Sequence, residues 1–217
     1  NSTGAATKIT VSDGDTIGLG NGATVVDMRI TGAELQNITA TGLTIGGTNS
    51  TIFVDGVTAA NSNNISGTLT LDATNDNATI QFTTATATFN ALSAKADDGI
   101  TVNADITTDT GNLALEGDAD NAADTSDAIK FNAGRTLTSA GSITLDATTG
   151  KLGSAAGTLD LKAADGVTLN DSLTTAGKLT INADTDQPDN VGTLTVANGA
   201  TVSTGGNALD ITANDLN

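Results

Sequence analysis

The sequence predicts an all-β protein, a parallel β-helix or β-solenoid of roughly ten rungs. Three observations lead to this prediction. A short strand-like phrase returns along the chain, a longer stretch recurs in tandem, and small apolar and β-branched residues take the place of aromatic ones. An antiparallel β-sandwich is the alternative fold.

The recurring phrase reads Gly-x-φ-Thr/Asp-φ-Asx/Lys-Ala, where φ is Leu, Ile or Val. Clear copies occupy residues 141–147, 157–163 and 177–183, and looser copies occupy 67–73, 111–115 and 192–197. Apolar residues two positions apart lie on one side of a strand, so each copy predicts a very short strand with one buried face. The opening Gly predicts a backbone position that can take positive φ.

A longer repeat organises the chain above the level of single strands. Residues 95–103 recur as residues 162–170, an offset of 67, and a weaker copy covers about 42–89. We therefore expect one domain, 1–217, with imperfect repeats of about 28–93, 94–160 and 161–217. The strand phrase returns at intervals of roughly 15–20 residues, which is too short for a βαβ unit of ~30 residues and predicts rungs of two or three short strands.

Turn residues punctuate the predicted strands. Asp-Gly pairs at 98–99 and 165–166 are typical of tight turns. They also favour two-residue hairpins, which keeps the antiparallel sandwich open. Residues 32–38 predict a single helical turn, and the Ala-rich segment 85–96 predicts strand because of its Thr content and its place in the repeat.

Composition limits both the core and the partners. Aromatic residues make up 2% of the chain, all of them Phe, and we expect them to fill the core: Phe53, Phe82, Phe89 and Phe131. The net charge is −17 with eight Lys and Arg in all, which argues against nucleic acid or an anionic membrane surface as a partner. No stretch approaches the ~20 apolar residues of a membrane span, so we expect no membrane insertion.

The residues predict little catalytic chemistry. His and Cys are both absent, so the usual general base and the best thiol nucleophile are missing. We expect no catalytic residues and no enzyme activity. Some parallel β-helices cleave polysaccharides with carboxylates, Arg or Lys in a groove, which leaves a polysaccharide-active enzyme as a further alternative.

Aspartate-rich turns raise the question of calcium. Asp118 and Asp120 occupy the same place in one repeat as Asp184 and Asp186 in the next. Calcium takes several oxygen ligands, and carboxylates of one turn supply them. These four residues are therefore the candidate ligands, with calcium as the one cofactor considered. The alternative is a solvated acidic loop that keeps the protein soluble, because the spacing matches no EF-hand.

Residues 34–46 and 52–56, together with the later Gly-x-Leu-Thr-Leu phrases, resemble blocks of filamentous-haemagglutinin-like proteins. The resemblance covers most of the chain. It implies a right-handed parallel β-helix that is secreted and displayed on a bacterial cell surface, where it works as an adhesin or stalk. It implies no catalytic residues.

Tandem repetition without a candidate catalytic site favours a structural function. We expect a segment of an extracellular fibre, sheath or stalk that associates with itself end to end, or continues into further repeats of a longer chain. The alternative is an adhesin segment that binds a host or neighbouring-cell ligand. Glycan binding would favour Trp or Tyr, and the chain has neither.

Overall fold

The chain folds as a parallel β-helix, as the sequence predicts. The computed structural model describes residues 7–12, 14–22, 24–124, 126–154, 156–187 and 191–217. Within these residues the strands form three all-parallel sheets of nine, nine and six strands, which we name sheets 1, 2 and 3. The antiparallel sandwich is therefore wrong.

The strands of each sheet, in their order from the N-terminal end, are as follows. Sheet 1 contains β1 (Thr7–Ile9), β4 (Leu43–Gly46), β6 (Thr68–Ala73), β9 (Ala91–Ala96), β12 (Leu113–Glu116), β15 (Ile143–Asp146), β18 (Val167–Leu169), β21 (Thr193–Val196) and β24 (Asp215–Leu216). Sheet 2 contains β3 (Met28–Ile30), β2 (Ile17–Gly20), β5 (Thr51–Asp55), β7 (Thr79–Phe82), β10 (Ile100–Val102), β13 (Ile129–Phe131), β16 (Leu152–Ser154), β19 (Leu173–Thr175) and β22 (Val202–Ser203). Sheet 3 contains β8 (Ala87–Phe89), β11 (Ile106–Thr108), β14 (Arg135–Ser139), β17 (Leu159–Ala163), β20 (Leu179–Asn182) and β23 (Leu209–Thr212).

Two single-turn helices, α1 (Gly32–Leu35) and α2 (Ala59–Ser62), take the place of sheet 3 in the early turns of the chain. Helix α2 contacts β8, and α1 contacts α2. The helical turn predicted at 32–38 is confirmed by α1, whose Thr31 and Glu34 form a reciprocal capping box. The second helix, α2, was not predicted from the sequence. Among the described residues, no helix is long and apolar enough to cross a membrane.

The chain winds through sheets 1, 2 and 3 in turn, so neighbouring strands of one sheet are one turn of the chain apart. Leu113 of β12 pairs with Leu92 of β9 on one side and with Ile143 of β15 on the other. Each turn is therefore longer than the interval of the recurring phrase, and the rung length predicted from that interval is too short. The cause is that the phrase marks strands in two different sheets, for example β15 in sheet 1 and β17 in sheet 3.

The long sequence repeat does not stack on itself. Lys95 lies in β9 of sheet 1, whereas its repeat equivalent Lys162 lies in β17 of sheet 3. The repeat thus spans eight strands, one short of the nine that three whole turns contain. Equivalent residues of successive repeats consequently face different sides of the rod.

Side chains alternate between the core and the surface along each strand. Inward positions of sheet 1 form an apolar ladder that includes Leu92, Leu113 and Ile143, each at most 1% exposed. Burial of each such side chain stabilises the fold by about 1.5–3 kcal/mol. Nine strands at a spacing of ~4.8 Å give a rod of about 38 Å, shorter than ten rungs would give.

Three of the four Phe residues fill this core, as predicted: Phe82, Phe89 and Phe131 are 0% exposed. The prediction is wrong for Phe53. It lies at an outward position of β5, between buried Ile52 and Val54, and is half-buried on the outer face of sheet 2. Alternation fixes its direction, because its two neighbours already occupy inward positions.

The glycines that open the recurring phrase serve two different needs. Gly157 and Gly192 have φ of 75° and 86°, the left-handed region that glycine alone enters at little cost. Gly177 lies outside that region, and a Cβ there would overlap the carbonyl oxygen of Gly157 one turn away. Close approach of successive turns, rather than positive φ, therefore requires glycine at position 177.

Candidate functional site

Acidic side chains collect where the chain passes from sheet 1 to sheet 2. We name the turns after β6, β9, β12 and β18 the acidic corner. Its carboxylates are Asp76, Asp97, Asp98, Asp118, Asp120, Asp124, Asp127 and Asp171. Because successive turns stack at ~4.8 Å, carboxylates that are far apart in sequence become neighbours here.

The tightest group within the acidic corner joins three successive turns. One carboxylate oxygen from each of Asp76, Asp97 and Asp124 lies within 4.8 Å of the other two. Asp97 is 3% exposed, and the backbone N–H of Asn77 donates to its Oδ2 at 2.8 Å. Asp76 and Asp124 are exposed. Three carboxylates at this spacing suit a hard cation, and they repel one another without one.

Burial and like charge both oppose ionisation of Asp97 and Asp124. Burial raises the pKa of Asp97, the N–H of Asn77 lowers it, and nearby carboxylates including Asp124 raise it further. The pKa of Asp124 is also raised, first by desolvation and then by the charge of Asp127. Ionisation of Asp97 and Asp124 therefore costs the folded state free energy at neutral pH.

A second pair of carboxylates holds the turn after β15. The backbone N–H of Thr149 donates to Oδ2 of Asp118 at 2.6 Å, and the Thr149 hydroxyl donates to Oδ2 of Asp127 at 3.0 Å. Asp118 and Asp127 are 1% and 5% exposed. The Oδ1 atom of each is buried and has no hydrogen-bond partner among the described residues. In each of these aspartates, one carboxylate oxygen accepts a hydrogen bond from the turn after β15. The other carboxylate oxygen is buried without a hydrogen-bond partner among the described residues.

The structure separates the predicted calcium ligands into two pairs. Asp118 and Asp120 follow β12, at the acidic corner, whereas Asp184 and Asp186 follow β20, where sheet 3 passes to sheet 1. Asp118 and Asp184 are buried, and Asp120 and Asp186 are exposed. Stacking of the repeats does not bring the pairs together, because the repeat is rotated by one sheet.

Calcium binding by Asp118, Asp120, Asp184 and Asp186 stays a prediction. Bound calcium would offset the repulsion between carboxylates, so we expect millimolar calcium chloride to raise the melting temperature measured by circular dichroism. Equal ionic strength supplied as sodium chloride is the control for screening. An unchanged melting temperature in the calcium sample would contradict the prediction.

Sequence reasoning missed Asp97 as a partner of Asp76 and Asp124. The Asp-Asp-Gly sequence at 97–99 signalled a turn, and the other two residues lay in segments already recognised as acidic. The three carboxylates come together only because of the number of residues in each of the two turns of chain that separate them. The sequence pattern alone does not reveal those numbers.

The raised pKa of Asp97 predicts a pH effect. The folded state binds this proton more tightly than the unfolded chain does, so the contribution of this group to stability is fully present at low pH. That contribution is lost as the pH rises from about 3.9 through the folded-state pKa. We expect Asp97→Asn to raise the melting temperature at pH 7 and to leave it unchanged at pH 3, since an amide oxygen can still accept from Asn77.

Asp165→Asn is the matched control for this pH prediction, because it removes the same charge from an exposed turn. The measurement is thermal unfolding followed by far-ultraviolet circular dichroism at both pH values. Equal shifts for Asp97→Asn and Asp165→Asn at pH 7 would refute the assignment to Asp97.

An open groove of about 420 Å³ borders the acidic corner. Its lining combines carboxylates with amines: Asp124, Asp127, Lys130 and Lys151. The alternative of a polysaccharide-active enzyme requires carboxylates beside Arg or Lys in a groove. This groove is therefore the place to test that alternative.

The last turn of the solenoid exposes apolar side chains at its end. Leu209 and Ile211 of β23 are 41% and 42% exposed, and Leu216 of β24 is 64% exposed. We name these three residues the C-terminal face. Ile211 and Leu216 line an open groove of about 390 Å³ together with Leu194, Val196 and Val202. The ladders of all three sheets therefore end on apolar surface that another rung would cover.

Comparison of the chain with protein-family models, with curated proteins and with solved structures finds no match. The resemblance to filamentous-haemagglutinin-like proteins accordingly stays a prediction.

Proposed function

We propose that this chain is a structural segment of an extracellular bacterial fibre, sheath or stalk, in which β-solenoid rungs associate end to end. The observation that carries the proposal is the apolar C-terminal face, which lies at the ends of sheets 1 and 3. A terminal strand also presents unpaired N–H and C=O groups, which are a template for a further strand.

The distribution of charge supports association through ends rather than sides. The acidic corner runs along the side of the rod and belongs to a chain of net charge −17. Side-by-side contact would bring such corners together and is disfavoured by repulsion. The C-terminal face has three large apolar side chains, and covering them removes apolar area from water.

Substitution of apolar residues of the C-terminal face by lysine tests this proposed function. We expect the 217-residue chain to form fibres or concentration-dependent oligomers in electron microscopy and sedimentation velocity. The double variant Ile211→Lys/Leu216→Lys should remain monomeric, because two buried ammonium groups at the contact cost several kcal/mol.

Thr174→Lys supplies the control, since it adds a positive charge at an exposed outward position of β19. It should assemble like the unmodified chain. A monodisperse monomer of the unmodified chain at every concentration would overturn the proposed function. Equal assembly of the Ile211/Leu216 variant would show that the C-terminal face is not the contact.

A further inference from the structure

Carboxylates surround the short turn that follows β15. Asp118 accepts from the backbone N–H of Thr149 at 2.6 Å, and Asp127 accepts from the Thr149 hydroxyl at 3.0 Å. From the next turn of the chain, Asp171 accepts from the backbone N–H of Ala147 at 2.6 Å. Acidic side chains of the turns before and after it are thus directed at this one turn.

Hydrogen bonds do not satisfy the carboxylates of Asp118 and Asp127. Both side chains are more than nine-tenths buried, and the Oδ1 atom of each has no hydrogen-bond partner among the described residues. The Thr149 hydroxyl lies 3.2 Å from the carbonyl oxygen of Ala122 as well as 3.0 Å from Asp127, and it has one hydrogen to donate. Acceptor oxygens therefore outnumber donors around Thr149. A bound cation is one of the few partners that satisfy such buried oxygens.

No basic side chain compensates this charge within the protein. The ion pairs found among the described residues involve neither Asp118 nor Asp127. Burial raises the pKa of Asp171, the N–H of Ala147 lowers it, and the charges of Asp146 and Asp118 raise it further. A cation bound beside Asp118 would therefore relieve repulsion that the folded chain leaves in place.

The surroundings of Thr149 are accessible on one side and held by backbone on another. Asp127 and Thr149 line the open groove of about 420 Å³, through which a cation can approach from solvent. Gly150 lies against the backbone of Asp127, and a Cβ at position 150 would overlap the Asp127 carbonyl oxygen. This contact fixes Asp127 beside Thr149 before any ion binds, which lowers the entropy cost of binding.

The connection that contains Asp118 and Asp127 has little else to hold it. Strand β12 ends at Glu116 and β13 begins at Ile129, so residues 117–128 form the longest connection from sheet 1 to sheet 2. None of its described residues belongs to the hydrophobic core. An ion shared with the turn after β15 would anchor this connection in place of apolar contacts.

The types of ligand favour calcium over magnesium. Carboxylates, a backbone carbonyl and a hydroxyl are all hard oxygen ligands. Calcium takes about six to eight such ligands in irregular geometry and fills the remaining positions with water, whereas magnesium demands a nearly ideal octahedron. Oxygens from two stacked turns of backbone form an irregular set.

We propose that Asp118 and Asp127, with the carbonyl oxygen of Ala122 and the hydroxyl of Thr149, bind one calcium ion that fastens residues 117–128 to the turn after β15. The inference gives Asp118 the partner Asp127, which the sequence did not indicate. It does not depend on end-to-end association.

Isothermal titration calorimetry with calcium chloride tests the site on the 217-residue chain after removal of metal by a chelating resin. We expect saturable binding that Asp118→Asn/Asp127→Asn abolishes or weakens at least about tenfold, because two anionic ligands become neutral amides. The amide oxygens can still accept from Thr149, so the variant should fold. Its melting temperature without calcium should equal or exceed that of the unmodified chain.

Asp109→Asn/Asp165→Asn is the matched control, because it removes the same charge from two exposed positions. This variant should bind calcium like the unmodified chain. Equal weakening in the two double variants would show that net charge alone attracts the ion and would overturn the inference.

Hydrogen exchange followed by mass spectrometry locates the ion in the unmodified chain and does not depend on the folding of a variant. Calcium should slow exchange in residues 117–124 and 147–151. Exchange should stay unchanged in residues 197–201, a turn from sheet 1 to sheet 2 that has no acidic residue.

Three results would overturn the inference. The first is the absence of binding at millimolar calcium, and the second is binding that Asp118→Asn/Asp127→Asn leaves unchanged in affinity and stoichiometry. The third is slower exchange confined to other segments, such as residues 184–187. None of these results bears on fibre formation, so the proposed function is tested separately.

Discussion

Replacement of Phe131 by Ala is expected to lower the free energy of unfolding by about 3–5 kcal/mol. Phe131 is 0% exposed and points inward from β13, paired in register with Val102 and Ser154. Its in-register neighbours Val102 and Ser154 are smaller than Phe and are held in the stacked sheet, so they cannot fill the cavity that Ala would leave. Urea unfolding followed by far-ultraviolet circular dichroism measures the loss.

Phe53→Ala is the control for Phe131→Ala. Phe53 lies on the same sheet but at an outward, half-buried position. Its removal leaves no internal cavity, so the loss should stay below about 1 kcal/mol. Similar losses for the two variants would contradict the assignment of one ring to the core and the other to the surface.

The variant Gly177→Ala should destabilise the protein by about 1–3 kcal/mol or more, although it adds a single methyl group. The new Cβ would overlap the carbonyl oxygen of Gly157, which belongs to the backbone of the adjacent turn and cannot rotate away. The two turns must then separate locally, which also weakens the pairing of β17 with β20.

Gly153→Ala provides the comparison. A Cβ at position 153 would approach the Thr174 carbonyl oxygen at 3.8 Å, an ordinary contact. Because Ala loses less backbone entropy than Gly on folding, this variant should be neutral or slightly stabilising. Equal losses in thermal unfolding for the two variants would show that closeness of the turns is not the reason for glycine at position 177.

The sequence was sufficient for the fold because its pattern is local. Alternation in phrases such as residues 143–146 identifies a short strand with one buried face, and repetition indicates stacking. The number of residues in one turn of the chain could not be predicted from this local pattern. The same phrase serves sheets 1 and 3, so similarity between Ile143 and Leu159 does not mean that one lies on the other.

The candidate sites were less accessible to sequence reasoning, since they depend on which turns stack. These three carboxylates, Asp76, Asp97 and Asp124, meet because each of the two segments between them completes one turn of the chain. Nothing in the local sequence fixes the lengths of those segments. Asp118 and Asp184 look equivalent in sequence yet lie at different corners. The pairing of β3 with β2 was also not predicted, because a strand of three residues shows too little alternation to be recognised in the sequence.

The direction of the ladders has a mechanical consequence. The hydrogen bonds between strands run along the axis of the rod, so a stretching force between its two ends loads neighbouring rungs in series. Under tension we expect the outermost rung to peel first and the others to follow singly. Each peeled rung would release roughly 70–100 Å of contour length, at about 3.3–3.6 Å for each extended residue. A rod of this kind would extend in small steps under a stretching force, and it would not unfold along its whole length at once.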